Sequence, residues 1–145
     1  MRETVKRWYV VVVFLAVLSW LCTVKVSAAS IDASGTCGDN LTWTLDSDGV
    51  LAVSGEGKMD SYTYYTAQDQ TDSPWDWRRT VIKKVIIEDG VTSVGKSAFW
   101  GCTNLTEVVI GDTVETIEPN AFHTCTALAT ITMGDNVETV GENAF

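Results

Sequence analysis

VIKKVII at residues 81–87 returns as NLTEVVI at residues 104–110 and as ALATITM at residues 127–133, so that each copy begins at the same offset from the one before. The match continues beyond these strings, because an aspartate, two apolar positions and an Ala-Phe pair recur at the same offset. Agreement at so many positions predicts an internal repeat. A period of 23 residues falls among the stacking repeats of about 20–29 residues.

Each unit can be interpreted as one coil of a stack. In the first unit Val85 and Ile87 are two residues apart, as one face of a strand requires, and β-branched residues favour a strand there. One coil cannot bury its apolar faces alone, so neighbouring coils must stack. The units are 80–102, 103–125 and a truncated 126–145. The predicted core consists of Val85, Ile87, Phe99, Cys102, Val108, Ile110, Phe122 and Cys125.

The strings GVTSVGKSAFWGCTNLTEVVI and DTVETIEPNAFHTCTALATI resemble the BspA-type leucine-rich repeat of bacterial surface proteins. The resemblance covers residues 80–145, although Glu118 and Thr124 replace glycines that are usual in that repeat. Residues 34–59 also resemble the region often seen before such repeats. The resemblance implies a mostly β leucine-rich-repeat solenoid, secretion or cell-surface display, and adhesion or protein binding. It names no ligand.

The beginning of the chain, up to Ser30, differs from the rest. A basic start at residues 2–7 precedes an apolar run at residues 8–22, and small residues follow at 27–29. This order predicts a signal-peptide helix within residues 1–29 and cleavage near its end. The run is 15 residues long, shorter than the roughly 18–20 that span a bilayer. An uncleaved N-terminal anchor remains the alternative.

Residues 30–79 do not follow the repeat and are predicted to form an N-terminal β-rich cap. Apolar residues alternate at 41–45 and 50–53, on either side of an Asp-Gly turn signal at residues 46–49. This pattern predicts a β-hairpin. Residues 60–73 are polar and are interpreted as a loop.

The end of the cap carries a helix signal. Ser73 followed by Pro74 predicts a short helix near residues 74–79, with the proline in its first turn. A stack of repeats needs its first apolar edge covered. We therefore expect Trp75 or Trp77 to pack on the first repeat.

Charge and cysteine content narrow the functional classes. Residues 29–145 contain 6 Lys and Arg against 18 Asp and Glu, a net charge of −12, which disfavours nucleic-acid partners. Contact with membrane is expected only through the transient signal peptide. Cys37, Cys102 and Cys125 remain after export. An odd number does not make a disulfide framework, and stacked Cys102 and Cys125 are predicted to be buried free thiols.

No residues suggest catalysis or a cofactor. The sequence does not combine a nucleophile, a base and an orienting group, so the chain is predicted not to be an enzyme, and no metal or cofactor site is assigned. The recurring Asp89, Asp112 and Asp135 could form a cation-binding ladder, and we interpret them as turn caps. An aromatic set is open to two interpretations, a sugar-binding platform or packing within the cap: Tyr62, Tyr64, Tyr65, Trp75 and Trp77.

The candidate binding face is formed by the outward positions of the three repeat strands. They are predicted to span about 10 Å, and the third unit stops three residues short of 23, so further repeats or domains are expected downstream. The partner is expected to be an extracellular protein or glycan. The alternative function is a non-catalytic stalk, or the targeting region of a larger secreted enzyme. The face consists of Lys84, Ile86, Glu88, Glu107, Val109, Thr130 and Thr132.

Overall fold

The computed structural model describes residues 29–145. The signal-peptide helix predicted within residues 1–29 lies outside the described residues. The described part is mostly β, with a single short 3₁₀ helix at Asp76–Arg78, and none of its helices has the length and apolar character to cross a bilayer. Its strands are β1 (Ile31–Gly38), β2 (Leu41–Asp46), β3 (Val50–Gly55), β4 (Gly57–Lys58), β5 (Tyr64–Tyr65), β6 (Gln70–Thr71), β7 (Lys84–Ile87), β8 (Val91–Val94), β9 (Glu107–Ile110), β10 (Thr116–Ile117), β11 (Thr130–Thr132) and β12 (Thr139–Val140).

Two sheets contain most of these strands. The main sheet has the order β1-β2-β3-β7-β9-β11, and the second sheet has the order β12-β10-β8-β4. In the main sheet β7, β9 and β11 are parallel, with Lys84 opposite Glu107 and Glu107 opposite Thr130. In the second sheet Ser93 lies opposite Thr116. These partners are one repeat period apart in both sheets, so the sequence period sets the strand register.

The core follows from the alternation of side chains along the repeat strands. In β7 Val85 and Ile87 are buried, and in β9 Val108 and Ile110 are buried, while the residues between them are half-buried. Phe99, Cys102 and Phe122 are buried as well, whereas Cys125 is only partly buried. Cys125 closes the second unit, so it is covered only by the truncated third unit, whereas Cys102 lies between two complete units.

An aromatic row runs through the interior. Trp75 stacks on Phe99 with ring centroids 5.0 Å apart, Phe99 stacks on Phe122 at 5.0 Å, and Phe122 stacks on Phe145 at 5.2 Å. The Trp75 indole N–H donates to the Ala98 carbonyl oxygen at 2.7 Å, which satisfies its polar atom. Of the two tryptophans expected to pack on the first repeat, Trp75 does so.

Two strands of the cap extend the parallel pairing of the repeats. Strand β3 pairs in parallel with β7, placing Val50 opposite Lys84, and β4 pairs in parallel with β8. Trp75 occupies the place that Phe99 has in the next coil. The cap therefore continues both sheets of the repeats, a pairing that the sequence did not predict. Val50 and its partner Lys84 are 34 residues apart along the chain, against 23 between Lys84 and Glu107, because the inserted segment, residues 59–74, is longer than the corresponding connection in the repeats.

The predicted hairpin is present as β2 and β3, which pair antiparallel. Gly49 adopts a positive φ of 85° in the turn, and the Asp46 carboxylate accepts the backbone N–H groups of Asp48 and Val50, both at 2.9 Å. Strand β1, which no alternation revealed, adds an outer antiparallel strand to β2. Gly35 allows this pairing, because a β-carbon there would lie 2.8 Å from the Trp43 indole nitrogen.

The short helix differs from the prediction. It is a three-residue 3₁₀ turn whose N-cap is Trp75, without a side-chain cap, so Pro74 precedes the helix instead of forming its first turn. The Ser73 hydroxyl is engaged elsewhere, 2.8 Å from the Thr71 hydroxyl. The Asp76 carboxylate also contacts the inserted segment, because it accepts the Thr71 backbone N–H at 3.0 Å. These contacts hold the inserted segment against the 3₁₀ helix. Residues 60–73, which were predicted to be a loop, contain the small hairpin β5-β6.

Candidate binding face

The outward side chains of the repeat strands lie side by side on one face of the main sheet. In β7 these are Lys84 and Ile86, and in β9 they are Glu107 and Val109, all half-buried. Because the strands are in register, Ile86 lies directly opposite Val109. We call this surface the outer face.

The third strand and the strand ends complete the predicted set. Thr130 lies opposite Glu107, and Thr132 lies opposite Val109, both exposed. Glu88 differs, because it follows the last residue of β7 and its backbone N–H donates to the Val53 carbonyl oxygen at 2.9 Å. Six of the seven predicted residues therefore adjoin on three strands, and Glu88 lies at their edge.

The outer face is more than twice as wide as the three repeat strands alone would make it. Strands β1, β2 and β3 continue the same sheet, so that one cross-strand row reads Ser34, Thr44, Ala52, Ile86, Val109 and Thr132. Six strands span about 24 Å at the usual spacing, against about 10 Å for three. Sequence alternation had identified β2 and β3, but their parallel junction with β7 is a long-range pairing that alternation does not encode.

The centre of the outer face is apolar and electrically neutral. Ala52, Ile86 and Val109 are half-buried neighbours. Beside them the Lys84 ammonium lies 2.8 Å from a Glu107 carboxylate oxygen, and both side chains are partly exposed. Such a pair adds little stability. It leaves no net charge beside the apolar centre, whose flanks are serine and threonine.

The other candidate residues are placed separately from this face. The Asp89 carboxylate accepts the Asp112 backbone N–H at 2.8 Å, and the Asp112 carboxylate accepts that of Asp135 at 3.4 Å, so Asp89 and Asp112 each cap the equivalent turn of the next repeat. Within residues 29–145 no group of three His, Cys, Asp or Glu residues is arranged to hold a metal ion. The thiols of Cys102 and Cys125 are free. The hydrogen bond with Cys125, and then burial, raises the pKa of Cys102.

The aromatic set does not form one platform. Tyr62 and Trp75 are buried in contact with each other, and Tyr64 stacks on Trp100 with centroids 3.9 Å apart. Tyr65 and Trp77 remain exposed, 43% and 68% respectively. The packing interpretation therefore holds for Tyr62, Tyr64 and Trp75. It fails for Tyr65 and Trp77.

Comparison with known proteins gives one family match, no curated relative and two similar solved structures. The BspA type Leucine rich repeat region matches residues 77–145, and no curated protein matches the chain. A leucine-rich repeat protein from Eubacterium ventriosum is 34% identical with a TM-score of 0.65, over 74% of this chain and 28% of that one. A leucine rich cell surface protein from Faecalibacterium prausnitzii is 20% identical with a TM-score of 0.30, over 81% of this chain and 47% of that one.

The family match agrees with the register of the sheets. The chain spans 28% of the Eubacterium protein. The strands whose register follows the repeat begin at Lys84, shortly after the matched family region begins at Trp77. Residues 77–145 of this chain are thus similar to the BspA type Leucine rich repeat region, in sequence as well as in the register of their strands.

Proposed function

We propose that this chain is a non-catalytic binding module, secreted or displayed at the cell surface, whose repeats stack as a short solenoid. Its outer face binds an extracellular protein, as an adhesin does. Export is supported by the signal-peptide pattern of residues 1–29 and by a surface with a net charge of −12 over residues 29–145, which suits a soluble extracellular protein.

One observation carries the proposal, the cross-strand row with Ala52, Ile86 and Val109 at its centre. These side chains are neither buried by another element of the described chain nor separated by charge. An apolar surface rimmed by polar groups is typical of protein contact sites. The neutral Lys84–Glu107 pair beside it imposes no charge requirement on the partner.

The size of the face predicts weak binding. Six strands of about four residues cover roughly 24 by 13 Å, or about 300 Å², whereas a standard interface buries about 800 Å² on each partner. Additional repeats would extend the face by about 4.8 Å each. We therefore expect affinity to rise with the number of coils.

Added charge on each of the two sheets tests the proposal. A bacterial strain that displays the chain is assayed for adhesion to surfaces coated with extracellular proteins. Ile86→Glu combined with Val109→Glu should abolish adhesion, because two uncompensated carboxylates would be desolvated on contact. The matched control adds the same two charges to the second sheet, as Thr92→Glu with Thr139→Glu, and should adhere like the unmodified chain.

Two outcomes would contradict the proposal. One is adhesion by the outer-face variant equal to that of the control variant, which would place the contact elsewhere. The other is adhesion no greater than that of the strain without the chain, which would favour a stalk or a targeting region over a binding module.

A further inference from the structure

Trp77 is the most exposed tryptophan of the described chain, and it has no part in the core. Its side chain is 68% exposed, whereas Trp43 and Trp75 are buried and Trp100 is half-buried. It belongs to the 3₁₀ helix Asp76–Arg78 and not to the outer face. Exposing an indole to water forgoes the stabilisation that burying it would give, so its position calls for a reason other than packing.

The Trp77 ring is nevertheless held in place. Its indole N–H donates to the Pro74 carbonyl oxygen at 3.2 Å, and the Arg78 guanidinium carbon lies 4.8 Å from the ring centroid, over one face. Arg78 is itself held by an ion pair with Asp32 on β1. Two contacts therefore fix the ring, and its other face is left to solvent. A ring fixed in advance loses little conformational entropy when a ligand stacks on it.

The groups beside the Trp77 ring supply both hydrogen-bond donors and hydrogen-bond acceptors. The Arg78 guanidinium carries donors and the Asp32 carboxylate carries acceptors, and their side chains remain 30% and 41% exposed. A flat apolar face bordered by one donor and one acceptor matches a pyranose ring, whose C–H face packs on an aromatic face and whose hydroxyl groups both donate and accept. The polar pair would then orient the sugar.

The charges point to a neutral sugar. Arg78 and Asp32 compensate each other, and the chain carries a net charge of −12 over residues 29–145, which repels anionic polysaccharides. We propose that Trp77, Arg78 and Asp32 form a subsite for a neutral hexopyranose glycan, separate from the outer face. The neighbouring exposed side chains of Ile31 and Val81, 61% and 40% exposed, make a protein the competing occupant.

The test uses the full chain and four neutral probes, maltohexaose, cellohexaose, mannohexaose and laminarihexaose, followed by saturation-transfer NMR and calorimetry. At least one probe should bind at millimolar concentration or below. Trp77→Ala should weaken it by about tenfold, the effect of losing one aromatic stack of about 1.4 kcal/mol. Trp77→Phe, which keeps an aromatic face, should retain most of the affinity. Tyr65→Ala, at the other exposed aromatic, is the matched control and should bind normally.

Each remaining outcome overturns the proposal. Binding of none of the four probes removes the neutral-glycan subsite, and so does binding that persists unchanged in Trp77→Ala. Loss of a protein partner in Trp77→Ala, with no probe bound, assigns the surface to a protein instead. Because Trp77 is exposed, the variants should unfold at the same urea concentration as the unmodified chain, which separates loss of binding from loss of fold. The outer-face proposal stands or falls independently of these results.

Discussion

Replacing Phe122 by alanine removes a middle ring of the aromatic row, and the structure fixes the expected cost. Phe122 is 1% exposed and lies between Phe99 and Phe145, with centroids 5.0 and 5.2 Å away. Truncating a buried phenylalanine costs about 3–5 kcal/mol. The stability of a small domain is about 5–15 kcal/mol, so Phe122→Ala should lose a large part of it.

The repeat provides a matched series for this prediction. Phe99 and Phe145 occupy the equivalent positions of the neighbouring coils, and they are 0% and 45% exposed. Phe99→Ala should cost at least as much as Phe122→Ala, because Phe99 also stacks on Trp75. Phe145→Ala should cost only about 1 kcal/mol, since about half of its apolar surface is already in water.

Urea unfolding, followed by far-ultraviolet circular dichroism, measures the series. The free energies of unfolding should rank in the order of burial, with m-values unchanged so that the comparison remains valid. Equal losses for Phe122→Ala and Phe145→Ala would refute the stacked row. A Phe122→Ala variant as stable as the unmodified chain would place that ring at the surface.

Three other predictions concern the thiols, alkaline pH and the end of the repeats. Mass spectrometry of the native protein should find Cys102 and Cys125 reduced, and a bridge between them would contradict the thiol ladder. Burial, with the nearby Asp60 carboxylate, raises the pKa of the Cys37 thiol from 9.0 to about 12. The folded chain therefore keeps a proton that the unfolded chain loses above about pH 9, and stability should fall between about pH 9 and 12 by up to about 1.4 kcal/mol per pH unit. Cys37→Ala should reduce that slope in urea titrations, and an unchanged slope would mean that the thiol is not shielded. Ile131, Met133, Val140 and Phe145 are exposed together at the last coil, so sedimentation should show self-association that Ile131→Lys weakens; a monomer at all concentrations would contradict this.

The repeat strands could be predicted because their signal is local and recurs. Val85, Val108 and their partners lie within short alternating strings, and the offset between strings is the register of the sheet. The coil within the cap could not be predicted in this way. Val50 pairs with Lys84, but the inserted segment separates them, and no local pattern reports how long an insertion is or where the chain returns.

Packing decided which aromatic residues became core and which did not. Trp75 and Trp77 are two residues apart and equally apolar, yet one is buried against Phe99 and the other is exposed. The choice depends on the 3₁₀ helix Asp76–Arg78, which contains Trp77 and begins directly after Trp75, and which the sequence suggested only as a longer helix. The departure from the repeat at Glu118 is explained by contacts as well. Its carboxylate accepts the Ser61 hydroxyl and the Lys96 backbone N–H, which ties the inserted segment to the second coil.

Contact between the outer face of the main sheet and a protein partner can be tested by site-specific crosslinking. A benzophenone-bearing amino acid at position 109 in place of Val109, in cells that display the chain and are attached to a protein-coated surface, tests it on illumination. The same residue at position 139 in place of Thr139 reports on the second sheet. If the outer face binds the partner, a discrete protein adduct forms from position 109 and none forms from position 139. An adduct from position 139 alone, or equal adducts from both positions, would contradict it.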